Sequence, residues 1–215
     1  DVNFLKSTAR ASIYQRLPYD FIGSLKFDLG YVDGFGDDGV RVNDRFFKGG
    51  NRGFRGFDVA GVGPRYIRCN ASTLNSATNP VTGEIQPACP LGAQTFDRAI
   101  GGRAYAIGTI EAQIPLPLPP EQGIRAALFT DFGSVGIVDE DDKLLNNSVR
   151  NYIDFNLDGI YDEPVQDDFS LRVTAGVSIN WNSPFGPVQI DIAEAFVRED
   201  YDNEQVFRFS AGGAF

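Results

Sequence analysis

The chain has 215 residues, 42% of them hydrophobic, which is enough for a folded core and argues against disorder of the whole chain. Its formal net charge of −10 argues against nucleic-acid binding, because that binding depends on Lys and Arg side chains that neutralise phosphates. The absence of histidine excludes histidine-based catalysis, and no stretch approaches the roughly 18 consecutive apolar residues of a membrane helix.

Alternation of apolar and polar residues predicts seven β-strands, most of them close to the roughly ten-residue length of a tilted membrane strand. In the last of them, Phe207, Phe209 and Phe215 share one face, while Arg208 and Ser210 lie on the other. The first face suits lipid and the second suits water. The predicted strands lie at about residues 7–17, 25–31, 109–114, 125–132, 171–181, 188–192 and 205–215.

The connections between these strands alternate in length. Short, proline-containing turns alternate with long loops at about 33–102 and 137–168 and a smaller one at about 198–204. This alternation is typical of outer-membrane barrels, which have short periplasmic turns and long external loops. It predicts an all-β fold, an antiparallel transmembrane β-barrel that crosses the outer membrane of a Gram-negative bacterium several times. A soluble β-sandwich is the alternative, but it gives no reason for every second connection to be short.

A barrel of seven strands would be incomplete. Bacterial single-chain barrels have even numbers of strands, and seven would leave two edges unpaired in lipid. Residues 1–6 also lack the charged and then apolar pattern of a signal peptide, which an exported protein carries at its start. We therefore expect residues 1–215 to be the C-terminal part of a longer barrel.

The first long loop contains a glycine-rich motif in which Phe54 and Phe57 flank Arg55 and Gly56. Glycines permit tight backbone turns, and the aromatic residues leave a single guanidinium between them. On composition alone, a flexible surface loop with solvated arginines is the favoured interpretation.

The order of five motifs changes this interpretation, because together they resemble the BamA family of outer-membrane β-barrel assembly factors. The resemblance implies about the last seven of sixteen barrel strands, so that nine strands and the periplasmic POTRA domains would precede this chain. The matching motifs are, in chain order, Phe46-Phe47-Lys48-Gly49-Gly50 followed by Phe54-Arg55-Gly56-Phe57, then Thr109-Ile110-Glu111, Asp131-Phe132-Gly133, Ser183-Pro184-Phe185-Gly186-Pro187 and the terminal Phe215.

In that family the long loop folds back into the barrel lumen, and its arginine pairs with acidic residues on the inner wall. The resemblance assigns these roles to Arg55, Gly56, Phe57, Glu111 and Asp131, and strand alternation separately places both acids on the polar face. A guanidinium holds carboxylates in a fixed planar geometry, which lysine does less well. Two carboxylates can also perform glycoside hydrolysis, but a neighbouring arginine keeps both ionised, whereas a general acid must hold a proton. We therefore predict that the chain is not an enzyme.

The resemblance implies that the protein folds and inserts other outer-membrane β-barrel proteins. Its partners would be outer-membrane lipids and lipopolysaccharide, unfolded outer-membrane protein clients and accessory assembly lipoproteins. Phe207, Phe209 and Phe215 would carry the signal of the terminal strand, and Gly212 and Gly213 would loosen its pairing at the barrel seam, where an open edge can bind a client. The alternatives are a two-partner-secretion-type polypeptide transporter of the same superfamily, and a passive porin or adhesin barrel.

No cofactor is expected apart from calcium in the second long loop. There, Asp154, Asn156, Asp158, Ile160 and Asp162 have the ligand spacing of an EF-hand-like loop, with a glycine at its sixth position. The bidentate glutamate that should end such a loop is missing. The alternative is an acidic, solvated external loop.

Cys69 and Cys89 are the two cysteines of the chain, and they lack the close pairing of a zinc site. They lie in a stretch rich in Asn, Thr, Pro and Gly, which favours a disulfide across the external loop over two free thiols. Such a bond should stabilise the fold by roughly 3 kcal/mol in the chain-entropy model. Alkylation of native membranes followed by mass spectrometry should find neither thiol modified; two alkylated cysteines would contradict the prediction.

Overall fold

The computed structural model describes residues 3–35, 39–50, 53–69, 75–78, 85–88, 94–138, 165–166 and 169–212. Within this part of the chain, none of the helices combines the length and the apolar character of a membrane span. The strands are β1 (Asn3–Arg16), β2 (Ile22–Phe35), β3 (Arg65–Cys69), β4 (Asn75–Thr78), β5 (Ile85–Ala88), β6 (Gln94–Ala99), β7 (Ala104–Ile114), β8 (Ile124–Gly136), β9 (Val165–Gln166), β10 (Arg172–Ser183), β11 (Gly186–Val197) and β12 (Phe207–Ala211).

One antiparallel sheet contains the seven strands that the alternation predicts, in the order β1-β2-β7-β8-β10-β11-β12. Each long strand pairs with the long strand that follows it along the chain, so the sheet is a meander. Within the described residues the sheet does not close, and β1 and β12 are its two edges. The predicted fold class, part of an antiparallel barrel, is confirmed.

The two faces of this sheet have opposite chemistry. On β8, the apolar Leu128 is 50% exposed, whereas Phe129 and the acidic Asp131 beside it are 3% and 1% exposed. A strand that exposes a leucine on one face and buries a carboxylate on the other shows the reverse of the pattern on a soluble sheet. The outer face therefore suits lipid, and the inner face, on which Phe129 and Asp131 lie, belongs to the barrel interior.

A tight turn joins β10 to β11. The Ser183 hydroxyl donates a hydrogen bond of 2.6 Å to the Gly186 carbonyl and accepts one of 3.3 Å from the Phe185 amide. Gly186 has a φ of 124°, a backbone conformation that favours glycine. The Ser-Pro-Phe-Gly motif thus forms one of the predicted short turns.

The sequence predicts residues 33–102 to be a loop, but the connection between β2 and β7 contains regular structure. β2 continues to Phe35, and β3 to β6 lie within the connection. β3 pairs with β6 and with β9 of the second long loop, while β4 and β5 form a hairpin. Strands of four to six residues are too short for a clear alternation, which is why the sequence gives no sign of them.

The first part of this connection folds back onto the inner face of the sheet. Phe54 and Phe57 from the loop are 0% exposed, with ring centroids 5.1 Å apart in an edge-to-face contact. Hydrophobic burial therefore fixes the loop inside the barrel before any charge is considered. The cluster that buries them consists of Val32, Val40, Phe46, Phe54, Phe57, Val62, Tyr105, Ile107 and Val135.

Gly133 is the inner-face glycine that directly follows Asp131 and Phe132, and it has a φ of 155°. A Cβ atom there would lie 2.1 Å from the Ala106 carbonyl oxygen, a backbone atom of β7 that cannot move aside alone. We expect Gly133→Ala to lower the free energy of unfolding by about 2 kcal/mol or more, from backbone strain and steric overlap. Urea denaturation of the folded barrel measures this.

Gly212→Ala is the matched control, because the nearest atom to its Cβ would be Pro187 Cγ at 3.5 Å, an ordinary contact. It should change the unfolding midpoint little. Equal midpoints for the two variants would show that the close approach of β7 and β8 at Gly133 does not constrain the fold.

Candidate functional site

Arg55 forms a two-pronged ion pair with Asp131 on the inner face of β8. Its Nε donates to Asp131 Oδ2 at 2.9 Å and its Nη2 to Oδ1 at 2.8 Å, while its backbone amide donates to Oδ2 at 3.1 Å. The side chains of Arg55 and Asp131 are only 10% and 2% exposed. Parallel charge-assisted bonds of this kind fix both distance and orientation, so the loop has one position relative to β8.

Glu111 on β7 takes the remaining side of the guanidinium. Arg55 Nη1 donates to Glu111 Oε2 at 3.2 Å, and Lys26 Nζ lies 3.8 Å from the same oxygen. The Thr109 hydroxyl donates to Asp131 Oδ1 at 2.8 Å, which connects the two strands through the carboxylate. The structure therefore brings together Arg55, Glu111 and Asp131, the three charged residues that the sequence singles out.

Phe129 completes this site, although it belongs to none of the sequence motifs. The guanidinium carbon of Arg55 lies 3.4 Å from the centre of the Phe129 ring, within cation–π distance. Phe129 and Asp131 are two positions apart on β8 and therefore share its inner face. An aromatic residue at an inward position of β8 is therefore the feature of the sequence that could have revealed this contact.

Burial and ion pairing have opposite effects on the pKa of Arg55. Desolvation lowers the pKa of the Arg55 guanidinium, but the hydrogen bond and charge of Asp131, with smaller contributions from Glu111 and Asp191, outweigh it and raise this pKa above its ordinary value. The arginine is therefore charged throughout the accessible pH range.

Gly56 lets the loop backbone approach the sheet closely. Its φ is 87°, and a Cβ atom there would lie 2.9 Å from Thr174 Cγ2 on β10. Its carbonyl accepts a 2.9 Å hydrogen bond from the Gln205 amide of the β11–β12 loop, which we define as residues 198–206. Any side chain at this position would push the loop away from the inner face.

A cavity of about 360 Å³ lies beside Glu111, between the loop and the sheet. Both carboxylates border this cavity, but the Glu111 side chain is 24% exposed and the Asp131 side chain 2%, so Glu111 is the more accessible to water. The lining residues are Lys26, Gly53, Arg55, Thr109, Glu111, Asp131, Ser178, Asn180 and Gln189.

A second buried arginine, Arg172 at the start of β10, lies outside the predicted site. Its Nε donates to Asp202 Oδ2 at 3.0 Å, and both side chains are 0% exposed. Its Nη2 donates to the Tyr201 hydroxyl at 2.9 Å and its Nη1 to Ser134 Oγ at 3.3 Å. The sequence places Arg172 on the polar face but gives no indication of its partner, which lies in a loop.

A third contact connects the loop to β2. Lys48 Nζ lies 3.0 Å from Asp28 Oδ2 and 3.6 Å from the centre of the Tyr105 ring. The Tyr105 hydroxyl donates to Asp28 Oδ1 at 2.7 Å. The loop is thus held by charged contacts on β2, β7 and β8, three neighbouring strands.

The terminal strand has the predicted alternation. Phe207 and Phe209 are 57% and 58% exposed on the outer face, while Arg208 on the inner face donates to Asp58 Oδ1 at 3.1 Å. Gly212 follows β12, and its amide donates to the Pro187 carbonyl at 2.9 Å.

Several predicted residues lie outside the described part of the chain. Gly213 and Phe215 follow its last described residue, and Cys89 and the calcium loop, Asp154, Asn156, Asp158, Ile160 and Asp162, fall in its gaps. Cys69 ends β3. The disulfide and the calcium site therefore stay predictions. Among the described residues, no group of three His, Cys, Asp or Glu side chains could hold a metal ion.

Comparison with known proteins places these features in a family. The model of the Omp85 superfamily domain matches residues 1–215. The outer membrane protein assembly factor BamA of Neorickettsia risticii (strain Illinois) is 28% identical over 216 residues, which cover 100% of this chain and 22% of that protein. The human sorting and assembly machinery component 50 homolog is 27% identical over 129 residues, 60% of this chain and 21% of that protein.

The fold also matches a solved structure. The crystal structure of BamA from Haemophilus ducreyi lacking POTRA domains 1-3 aligns with a TM-score of 0.65 and 21% identity, over 96% of this chain and 34% of that chain. The chain thus spans about a fifth of the length of the two relatives above. The names of the two relatives describe an assembly factor and a component of a sorting and assembly machinery, and neither names an enzymatic activity. The barrel fold and the family match confirm an outer-membrane β-barrel with several crossings, and the chain belongs to the Omp85 superfamily.

Proposed function

We propose that this chain is the C-terminal barrel part of a protein that folds client β-barrel proteins and inserts them into the outer membrane. The carrying observation is the Arg55 loop, which we define as residues 39–50 and 53–64 between β2 and β3, and which is held on the inner face by Asp131 and Glu111. The names of the relatives support the same function, since one is an assembly factor and the other a component of a sorting and assembly machinery.

The alternative functions have less support. A passive porin needs an open water-filled interior, whereas here the loop packs Phe54 and Phe57 against the sheet from inside. A two-partner-secretion-type transporter would share the loop motif, but the two relatives described above carry the names of assembly proteins.

In this proposal the Arg55 loop stiffens the barrel wall at one position while the seam stays adaptable. Arg55 joins β7 and β8 through the carboxylates of Glu111 and Asp131, and the Thr109 hydroxyl of β7 donates a further bond to Asp131. By contrast, the described part of β12 has 5 residues, against 12 in its neighbour β11. A short edge strand followed by Gly212 and Gly213 is suited to exchange its pairing with the edge of a client strand.

The outer face of the sheet indicates the lipid partners. Exposed aromatic and aliphatic side chains on the outer face, such as Phe207, Phe209 and Ile192, suit contact with outer-membrane lipids and lipopolysaccharide. Unfolded outer-membrane proteins would be the clients. Accessory assembly lipoproteins are proposed from the family resemblance alone.

We predict that Arg55→Ala lowers the free energy of unfolding by about 3 kcal/mol, because it leaves the Asp131 carboxylate buried without its counter-charge. Arg55→Lys should recover only part of this loss, since an ammonium cannot make both bonds to Asp131. Urea unfolding measures the loss, and heat resistance of the folded barrel on gels provides a second readout.

Double-mutant cycles separate the two carboxylates. The coupling energy of Arg55 with Asp131 should be on the order of 2 kcal/mol, because that pair is buried and bidentate. The coupling with Glu111 should be below about 1 kcal/mol, because that contact is single and more exposed to solvent. Arg10→Ala removes an arginine from an exposed ion pair with Asp28 and is the control, with little change expected. Coupling energies of zero for both carboxylates would contradict a locking role for Arg55.

Assembly itself is tested with the full-length protein in cells that are depleted of their own barrel assembly factor. The unaltered protein should restore the amount of folded client barrels in the outer membrane, Arg55→Ala should restore less, and Arg10→Ala should match the unaltered protein. If folded client barrels did not recover while secretion of a polypeptide did, the transporter function would replace the one proposed.

A further inference from the structure

The β11–β12 loop, residues 198–206, is hydrogen-bonded to the Arg55 loop. It leads directly into the terminal strand, and its backbone is hydrogen-bonded to the Arg55 loop at Gly56, Asp58 and Gly61. The Asp58 amide donates to the Asn203 carbonyl at 2.8 Å, and the Asn203 amide donates to the Gly61 carbonyl at 2.9 Å. Together with the bond from Gln205 to Gly56, these bonds make the position of one loop depend on the other.

What holds the β11–β12 loop itself is the buried pair of Arg172 and Asp202. Asp202 directly precedes Asn203, and its Oδ2 also accepts a 2.9 Å hydrogen bond from the Glu199 amide, so the carboxylate shapes the loop from within. Arg172 in turn is fixed to the wall through Ser134 on β8 and the Ser170 carbonyl before β10. The chain of contacts therefore runs from β8 and β10, through Asp202, to the backbone of the Arg55 loop.

We propose that Arg172 and Asp202 are positioning residues that form a second anchor of the Arg55 loop, acting through the β11–β12 loop. The first anchor holds the loop by the Arg55 side chain, and the second holds it by the backbone at Gly56, Asp58 and Gly61. Since the β11–β12 loop continues into β12, the second anchor also couples the place of the Arg55 loop to the terminal strand. This inference rests on the proposed function only for its effect on assembly.

Hydrogen exchange of the full-length protein in membranes tests the second anchor. Asp202→Asn keeps the size of the side chain but removes the charge, and Tyr201→Phe, a milder variant, removes one hydrogen bond to Arg172. In both, fragments with the Asp58, Asn203 and Gln205 amides should exchange faster, by about tenfold or more in Asp202→Asn. Fragments from the β7–β8 pair should keep their protection. Asp33→Asn, which removes a carboxylate from the half-exposed pair with Arg103, is the matched control without effect on these amides.

Two outcomes would overturn the second anchor. One is unchanged exchange of the three amides in both variants. The other is an equal loss of protection across β7 and β8, which would mean that Asp202 stabilises the barrel as a whole and positions no particular loop. Faster exchange at the three amides with normal assembly of client barrels would instead support the anchor and contradict a role of the Arg55 loop in assembly.

Discussion

The burial of a charged guanidinium inside the barrel is the constraint on which the rest of this structure depends. An arginine cannot leave water without compensation, so Arg55 requires acidic partners, here Glu111 on β7 and Asp131 on the neighbouring β8. That requirement fixes the register between β7 and β8, because a shift of one residue would turn Glu111 or Asp131 toward lipid. It also requires a glycine after the arginine, since only a chain without a Cβ atom at Gly56 can lie so close to β10.

The two faces of the sheet have different surroundings. Toward the membrane, the sheet exposes isolated apolar side chains in alternation, which lipid covers. Toward the interior, the loop and the sheet form an ordinary hydrophobic core around Phe54, Phe57 and Tyr105, like that of a soluble protein. The charged contacts of Arg55 and Arg172 lie within or beside that core, where weak solvent screening makes correct pairing matter most.

Much of the fold follows from the sequence because a membrane strand has to alternate over its whole length, so the seven long strands and the inward direction of Glu111 and Asp131 were predictable. The short strands β3 to β6 carry no such constraint and escaped detection. Arg172 was placed on the correct face, but its pairing with Asp202 depends on the conformation of an irregular loop 30 positions away. The contact of Arg55 with Phe129 requires the depth to which the loop enters the barrel, which neither motif nor alternation specifies.

The meander order of the sheet has a consequence for the rate of folding. Between β10 and β11 two residues suffice to reverse the chain, whereas pairing of β2 with β7 must close the connection from Phe35 to Ala104. Loop-closure entropy grows with length, and native contacts repay it only after the ends have met. The hairpin of β10 and β11 should therefore form early, and the joining of β1 and β2 to the remaining strands should be a late and slow event. The hydrophobic cluster of the Arg55 loop contains Val32 of β2 and Ile107 of β7. Contacts within this cluster can bring β2 and β7 close to each other before their backbone hydrogen bonds form.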